Sequence, residues 1–171
     1  MKTGPLDMAI KQHKYGGKWG WGVIFARVLL GHLARDRELA AADLIIPMPS
    51  VPLAPGVPRA GNDHSGWIIE SAMHQDDVGY RFRLEPPVLV KTAPTDKMAS
   101  TRSLAERTAV AADLYRVLEV RDPASVLGRT VVVVDDVFTT GSTLDAVARR
   151  LREAGAARVL GLTLARQPWN R

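Results

Sequence analysis

The sequence predicts an α/β domain with a mostly parallel central sheet flanked by helices. Three observations predict it. The segment Thr130-Val131-Val132-Val133-Val134 is apolar on both faces, as a central parallel strand covered by helices must be. Strand-like and helix-like segments alternate along the chain through short connections, the order that builds a parallel sheet by right-handed crossovers. The 171 residues are 46% hydrophobic and 24% charged, enough to bury one core without disulfides or metal staples.

Residues 1–18 are polar and contain glycine, and no element is assigned to them. Trp21, Ile24, Phe25, Val28 and Leu29 recur at helical spacing; Leu33 extends that helix and Arg35-Asp36-Arg37 ends it. Asp43-Leu44-Ile45-Ile46-Pro47 is a short apolar run stopped by proline, hence a buried strand. A long loop rich in Pro and Gly runs from Pro47 to His64, and a helix is expected from Trp67 to Met73. Pro87 to Lys91 reads as a second short strand and Thr92 to Arg102 as a small, polar loop. Ser103 and Glu106 have the capping-box spacing, so a helix is expected from Ser103 to about Asp113, followed by a strand over Leu114–Val120. Leu144, Val147, Ala148 and Leu151 mark a helix closed by Gly155, and Val159–Leu164 reads as the last strand.

Composition excludes several chemistries. The absence of Cys removes thiol catalysis, Cys-ligated zinc, iron–sulfur clusters and disulfides, and it fits a reducing compartment, so the cytoplasm is the expected location. No stretch approaches 18 apolar residues, so no membrane span is expected. Asp7, Lys11 and Lys14 stand where an export signal would be apolar. His13, His32, His64 and His74 show no metal-ligand spacing. The 23 Lys plus Arg exceed the 18 Asp plus Glu, a formal charge of +5 that suits a phosphate-bearing ligand or nucleic acid. The basic residues are dispersed, with no long Lys/Arg run, so composition by itself favours neither.

The informative stretch is Val131 to Thr143. A buried strand ends in Asp135 and Asp136; a turn of small hydroxyl residues and Gly141 follows, and a helix begins at once. Ligands of open α/β sheets sit at the carboxyl ends of central strands. The N–H groups at a helix N-terminus suit an anion. Gly141 permits close backbone approach, and Thr139, Thr140, Ser142 and Thr143 add hydroxyl donors. The cup fits a phosphate monoester, and the two carboxylates fit the hydroxyls of an attached ribose or a hard cation. Three plainer readings compete: simple helix caps, a Walker B strand and a receiver-type acidic pocket. No G-x-x-x-x-G-K-[ST] accompanies the strand, and the acidic pair falls late in the chain for a receiver.

This segment resembles the PRPP-binding signature of type I phosphoribosyltransferases, with Phe138 where an aliphatic residue is usual. More widely, the chain resembles the ComF-like branch. Lys14-Tyr15-Gly16-Gly17, Ile45-Ile46-Pro47-Met48-Pro49, Arg59-Ala60-Gly61-Asn62, Leu104-Ala105-Glu106-Arg107 and Leu162-Thr163-Leu164-Ala165-Arg166 carry that likeness. It implies a single type I phosphoribosyltransferase domain over 1–171, with a small N-terminal, variable hood in residues 1–40 and a core in 41–166. The zinc ribbon common in that branch has no counterpart in a chain without Cys.

The resemblance also implies roles. Asp135 and Asp136 would bind the ribose 2- and 3-hydroxyls; with Val137, the residues Thr139, Thr140, Gly141, Ser142 and Thr143 would hold the 5-phosphate. Met48, Pro49, Ser50 and Arg59 would form the pyrophosphate side, in a loop often built on an unusual peptide bond. Mg2+ would be carried largely by PRPP. Lys97 and Arg102 are the candidate cations of a closing loop; an exposed charged loop is the alternative for both. PRPP and an unidentified nitrogen acceptor are the expected partners, and a homodimer is compatible. Ser50 to Val57 contains no basic residue. That departure motivates the second reading, a PRPP- or nucleotide-binding regulatory module acting through a partner. Trp19, Trp21 and Trp169 are candidates to stack on a base; core packing is the alternative for Trp21 and a frayed terminus for Trp169.

Overall fold

The computed structural model describes residues 4–95, 112–138 and 141–166. Helix α1 (Pro5–Tyr15) occupies the segment to which the sequence assigned no element. Pro5 suits a first helical turn, Asp7 lies at the positive end of the helix dipole, and His13 and Lys14 lie at the negative end. Only Ala9, Ile10 and His13 are buried on it, too thin an apolar stripe to show as periodicity.

Helix α2 (Gly20–Leu33) buries Gly22, Phe25, Ala26, Leu29 and Leu33. Phe25, Leu29 and Leu33 of the expected apolar face are buried and Trp21 packs on the core, but Ile24 and Val28 are exposed, at 47% and 55%. The physical reason is that small residues select the buried face. Helix α4 (His64–Met73) approaches α2 so closely that a Cβ on Gly22 would lie 2.3 Å from the Trp67 ring. Between them, α3 (Arg37–Ala40) is capped by Asp36, whose carboxylate accepts from Glu38 N and Leu39 N. Asp63 caps α4 by accepting from Gly66 N, so that helix starts three residues before Trp67.

Strands β1 (Leu44–Pro47), β4 (Thr130–Phe138) and β5 (Arg158–Arg166) form a parallel sheet in the order β1-β4-β5. Leu44 is opposite Val131, and Asp135 is opposite Thr163. Beyond β1, Ile45 N donates to Arg81 O and Arg83 N donates to Ile45 O, so an extended segment lines that edge. Strands β2 (Leu89–Lys91) and β3 (Leu118–Val120) pair antiparallel, apart from the main sheet. Residues 112–117 are helical (α5), so most of the strand expected over Leu114–Val120 is helix. Leu114 and Leu118 point the same way into the core at a spacing of four, which serves a helix as well as a strand. The expected helix from Ser103 lies outside the described residues.

Side-chain alternation makes β4 the partition between two apolar clusters. Val132 and Val134 face Ile45, Ile68, Ile69, Ala26, Leu29 and Leu33. Val131 and Val133 face Leu44, Ile46, Leu118, Leu151 and Val147, the last two on α6 (Ser142–Glu153). Residues 5–33 thus pack as one of the two layers that cover the sheet.

Candidate functional site at the carboxyl end of the sheet

The carboxylates do not follow the central strand; they lie within it. β4 continues through Asp135 and Asp136 to Phe138, because β5 extends to Arg166 and keeps pairing with it. Two-residue alternation then sends the adjacent acids towards opposite faces. Asp136 turns to the layer of α1, α2 and α4, where it is 2% exposed and pairs with Lys14 of α1, Nζ to Oδ2 2.8 Å. Asp135 is partly exposed and lies near Lys91 of β2 and Ser65 of α4, whose Oγ donates to Asp135 Oδ1 across a long 3.4 Å. Asp136 N donates to Asp135 Oδ1 at 2.9 Å.

These surroundings set the acidity of the groups. Burial, then the Asp136 charge, pushes Asp135 up to about 6, against the opposing pull of the Asp136 N–H, Lys14 and Ser65. Burial holds Lys91 below the ordinary lysine range, offset by Asp135. His13 and His64 form a third pair beside them. Their rings are 5.4 Å apart edge to face, and His64 stacks on Trp19 at 6.2 Å. Burial pushes both below the usual histidine range; for His64 the neighbouring His13 and Lys14 add to this. His13 is fully buried, and neither ring nitrogen completes a hydrogen bond of ordinary geometry among the described residues.

At the turn into α6, Gly141 has φ +82°, and a Cβ there would sit 3.0 Å from the Phe138 ring. Only glycine fits both constraints. Gly141 O accepts the first helical bond from Asp145 N at 2.8 Å. Ser142 and Thr143 therefore form the first residues of α6. Thr139, Thr140, Lys97, Arg102 and Trp169 lie outside the described residues.

On the β1 side, Met48 N donates to Val134 O at 2.7 Å, which carries Met48, Pro49 and Ser50 alongside the acidic pair. Ser50 O accepts from Lys91 N at 3.0 Å. The residues that follow enclose a cavity of about 420 Å³ lined by Met48, Ser50, Arg59, Glu70, Glu85 and Leu89, among others. Arg59 lies in its wall, but two carboxylates already hold it: Asp63 Oδ2 at 2.9 Å, and Glu85. The cis peptide bond among the described residues joins Glu85 and Pro86, not residues of the loop after Pro49.

The sheet end thus gathers Met48, Pro49, Ser50, Asp135, Asp136, Val137, Gly141, Ser142 and Thr143, with Arg59 joined to them through Asp63 and the first turn of α4. Sequence reasoning missed Lys14, Ser65 and Lys91 as members. Lys14 carried a signal, the Lys-Tyr-x-Gly likeness; Lys91 and Ser65 carried none. His64, expected in a solvated loop, is half-buried at the start of α4.

The described residues form a parallel sheet flanked by helices, an α/β fold. Residues 86–169 match the family described as phosphoribosyl transferase domain, and the fold is like that of this family. The chain is also 60% identical over 37 residues to adenine phosphoribosyltransferases of Rhodococcus opacus (strain B4) and Rhodococcus jostii (strain RHA1). That stretch is 22% of this chain and 20% of each relative, so the match spans a fifth of the curated relatives' length. Among solved structures, the allosteric regulatory enzyme of purine biosynthesis is 23% identical with a TM-score of 0.48, over 81% of this chain and 25% of that one. A hypoxanthine phosphoribosyltransferase from Staphylococcus aureus is 9% identical with a TM-score of 0.44, over 88% and 75% of the two chains. No helix among the described residues is long and apolar enough to cross a membrane.

Proposed function

We propose that this protein is a phosphoribosyltransferase that uses PRPP with Mg2+ and transfers the ribosyl 5-phosphate group to, or from, a nitrogen acceptor. The observation that carries the reading is the acidic pair on a central strand feeding a glycine turn and a helix N-terminus. Asp135 and Asp136 accept hydrogen bonds from the ribosyl hydroxyls, and the turn from Thr139 to Thr143 holds the 5-phosphate. Met48, Pro49 and Ser50 face the pyrophosphate. Mg2+ would be carried largely by the pyrophosphate and hydroxyls of PRPP. When bound, the ion neutralises charge on the leaving group.

The acceptor nitrogen forms a bond to C1 while the C1–O bond to pyrophosphate breaks and its electron pair leaves with pyrophosphate; the proton lost from nitrogen passes to solvent. Lys97 and Arg102 are the proposed cations of a loop that closes over the leaving group and excludes water. The placement in the ComF-like branch rests on the residues already quoted, and cytoplasmic location on the absence of Cys.

Calorimetry with PRPP and Mg2+ tests the reading. Wild type is expected to bind, and Asp135→Asn with Asp136→Asn to bind at least about a hundredfold more weakly, since both charged hydrogen-bond acceptors are lost. No binding by wild type, or equal binding by the double variant, would falsify it.

One observation favours a second reading. Arg59, the first basic residue after Pro49, is already held by two carboxylates, Asp63 and Glu85. A regulatory module would bind PRPP in the same cup without turnover. A pyrophosphate-release screen against nucleobases and amines separates the two: release with any acceptor favours the enzyme, and binding without release favours the module.

A further inference from the structure

We infer that Lys14 of α1 is a positioning residue of the ribosyl site, holding the second carboxylate of the pair in place. The inference rests on the ribosyl-phosphate reading and adds to it a residue from the N-terminal segment, outside the motif.

Asp136 is buried on the helical face of β4, where an isolated carboxylate is strongly disfavoured. Its neighbour Asp135 carries like charge one residue away. A buried carboxylate that is to stay fixed in direction requires a partner that solvent cannot supply. Lys14 supplies it at 2.8 Å, with its side chain only 25% exposed. The other groups facing this region do not replace it. Burial favours the neutral forms of His13 and His64, and Lys91 acts on Asp135.

The placement of Lys14 is built, not incidental. Ala9, Ile10 and His13 anchor α1 in the core, His13 sitting edge to face on Phe25 at 5.5 Å. Lys14 follows the anchor directly. The turn behind it is tied down by Gly16 N and Lys18 N, which both donate to Gln12 O. The Gln12 side chain accepts from Trp21 Nε1 at 3.0 Å. Each contact restricts where the ammonium can go, so little side-chain entropy remains to be lost when the pair forms.

The test is a double-mutant cycle read by calorimetry with PRPP and Mg2+, and thermal melting verifies that each variant is folded. Lys14→Met is expected to weaken binding about tenfold to a hundredfold, the usual cost of removing a group that orients a ligand-binding side chain. Lys14→Arg keeps the charge and is expected to recover most of that loss. In an Asp136→Asn background, Lys14→Met is expected to change affinity less than about threefold, because Lys14 acts chiefly through Asp136 and its pull on Asp135 ranks behind burial and the Asp136 charge. That pair of variants also covers the case in which Lys14→Met alone leaves Asp136 unpaired and fails to fold. Unchanged affinity in Lys14→Met, or a loss of equal size in the Asp136→Asn background, overturns the inference. Absence of PRPP binding by wild type instead overturns the functional reading on which it rests.

Discussion

Asp135 shows how one residue can be tuned against stability. Its carboxyl is raised to about 6, whereas an unfolded chain would hold it near 3.8. The unfolded state therefore loses this proton first as pH rises. The contribution of Asp135 to stability is fully present below about 3.8 and is lost as pH climbs through about 6. Asp135→Asn is accordingly expected to melt higher than wild type at pH 8, by an amount on the order of 2 kcal/mol. The gap should close as pH falls towards 4. A gap that stays constant between pH 8 and pH 5 would show that Asp135 is not perturbed. Ionisation of Asp135 is thus a cost to the fold.

At the scale of elements, the contact between α2 and α4 fixes where the first turn of α4 lies, and with it Ser65 and His64. That contact depends on Gly22. A Cβ there would lie 2.3 Å from Trp67, whose indole N–H donates to Trp19 O at 2.9 Å. Gly22→Ala is expected to push the helices apart and to destabilise the protein by roughly 1–3 kcal/mol, despite the better helix propensity of alanine. Denaturant unfolding measures this; a neutral or stabilising result would mean that Trp67 has room to move. The α2 periodicity and much of its buried face were legible in the sequence, but the burial of Gly22 and Ala26 in place of Ile24 and Val28 was not. Trp21, Ile24 and Val28 outweighed two small residues in any hydrophobicity reading. Close approach of helix backbones decides the buried face instead.

For the molecule as a whole, the partition made by β4 has a measurable consequence. Val132 and Val133 are both fully buried, but in different clusters. Each valine-to-alanine change is expected to cost roughly 1–3 kcal/mol from lost burial and the cavity left behind. Because the two clusters share no side chain, the double variant should lose the sum of the single losses to within about 0.5 kcal/mol. A coupling above about 1 kcal/mol in urea unfolding would indicate that the strand itself shifts.

The sequence by itself determined the α/β class, the parallel central strand, the late acidic pair and the glycine turn. These follow from local chemistry: β-branched residues, helical spacing, and a glycine whose φ no other residue adopts readily. Only the tertiary structure decided that Asp135 and Asp136 would meet different surroundings, that Arg59 would be held by Asp63 and Glu85, and that α1 would bring Lys14 to the site. Each is a contact between segments far apart in the chain. α1 is the clearest case, since three buried residues in eleven give no periodic signal. Its place is set by the layer it packs on, and that layer exists only once the sheet has formed.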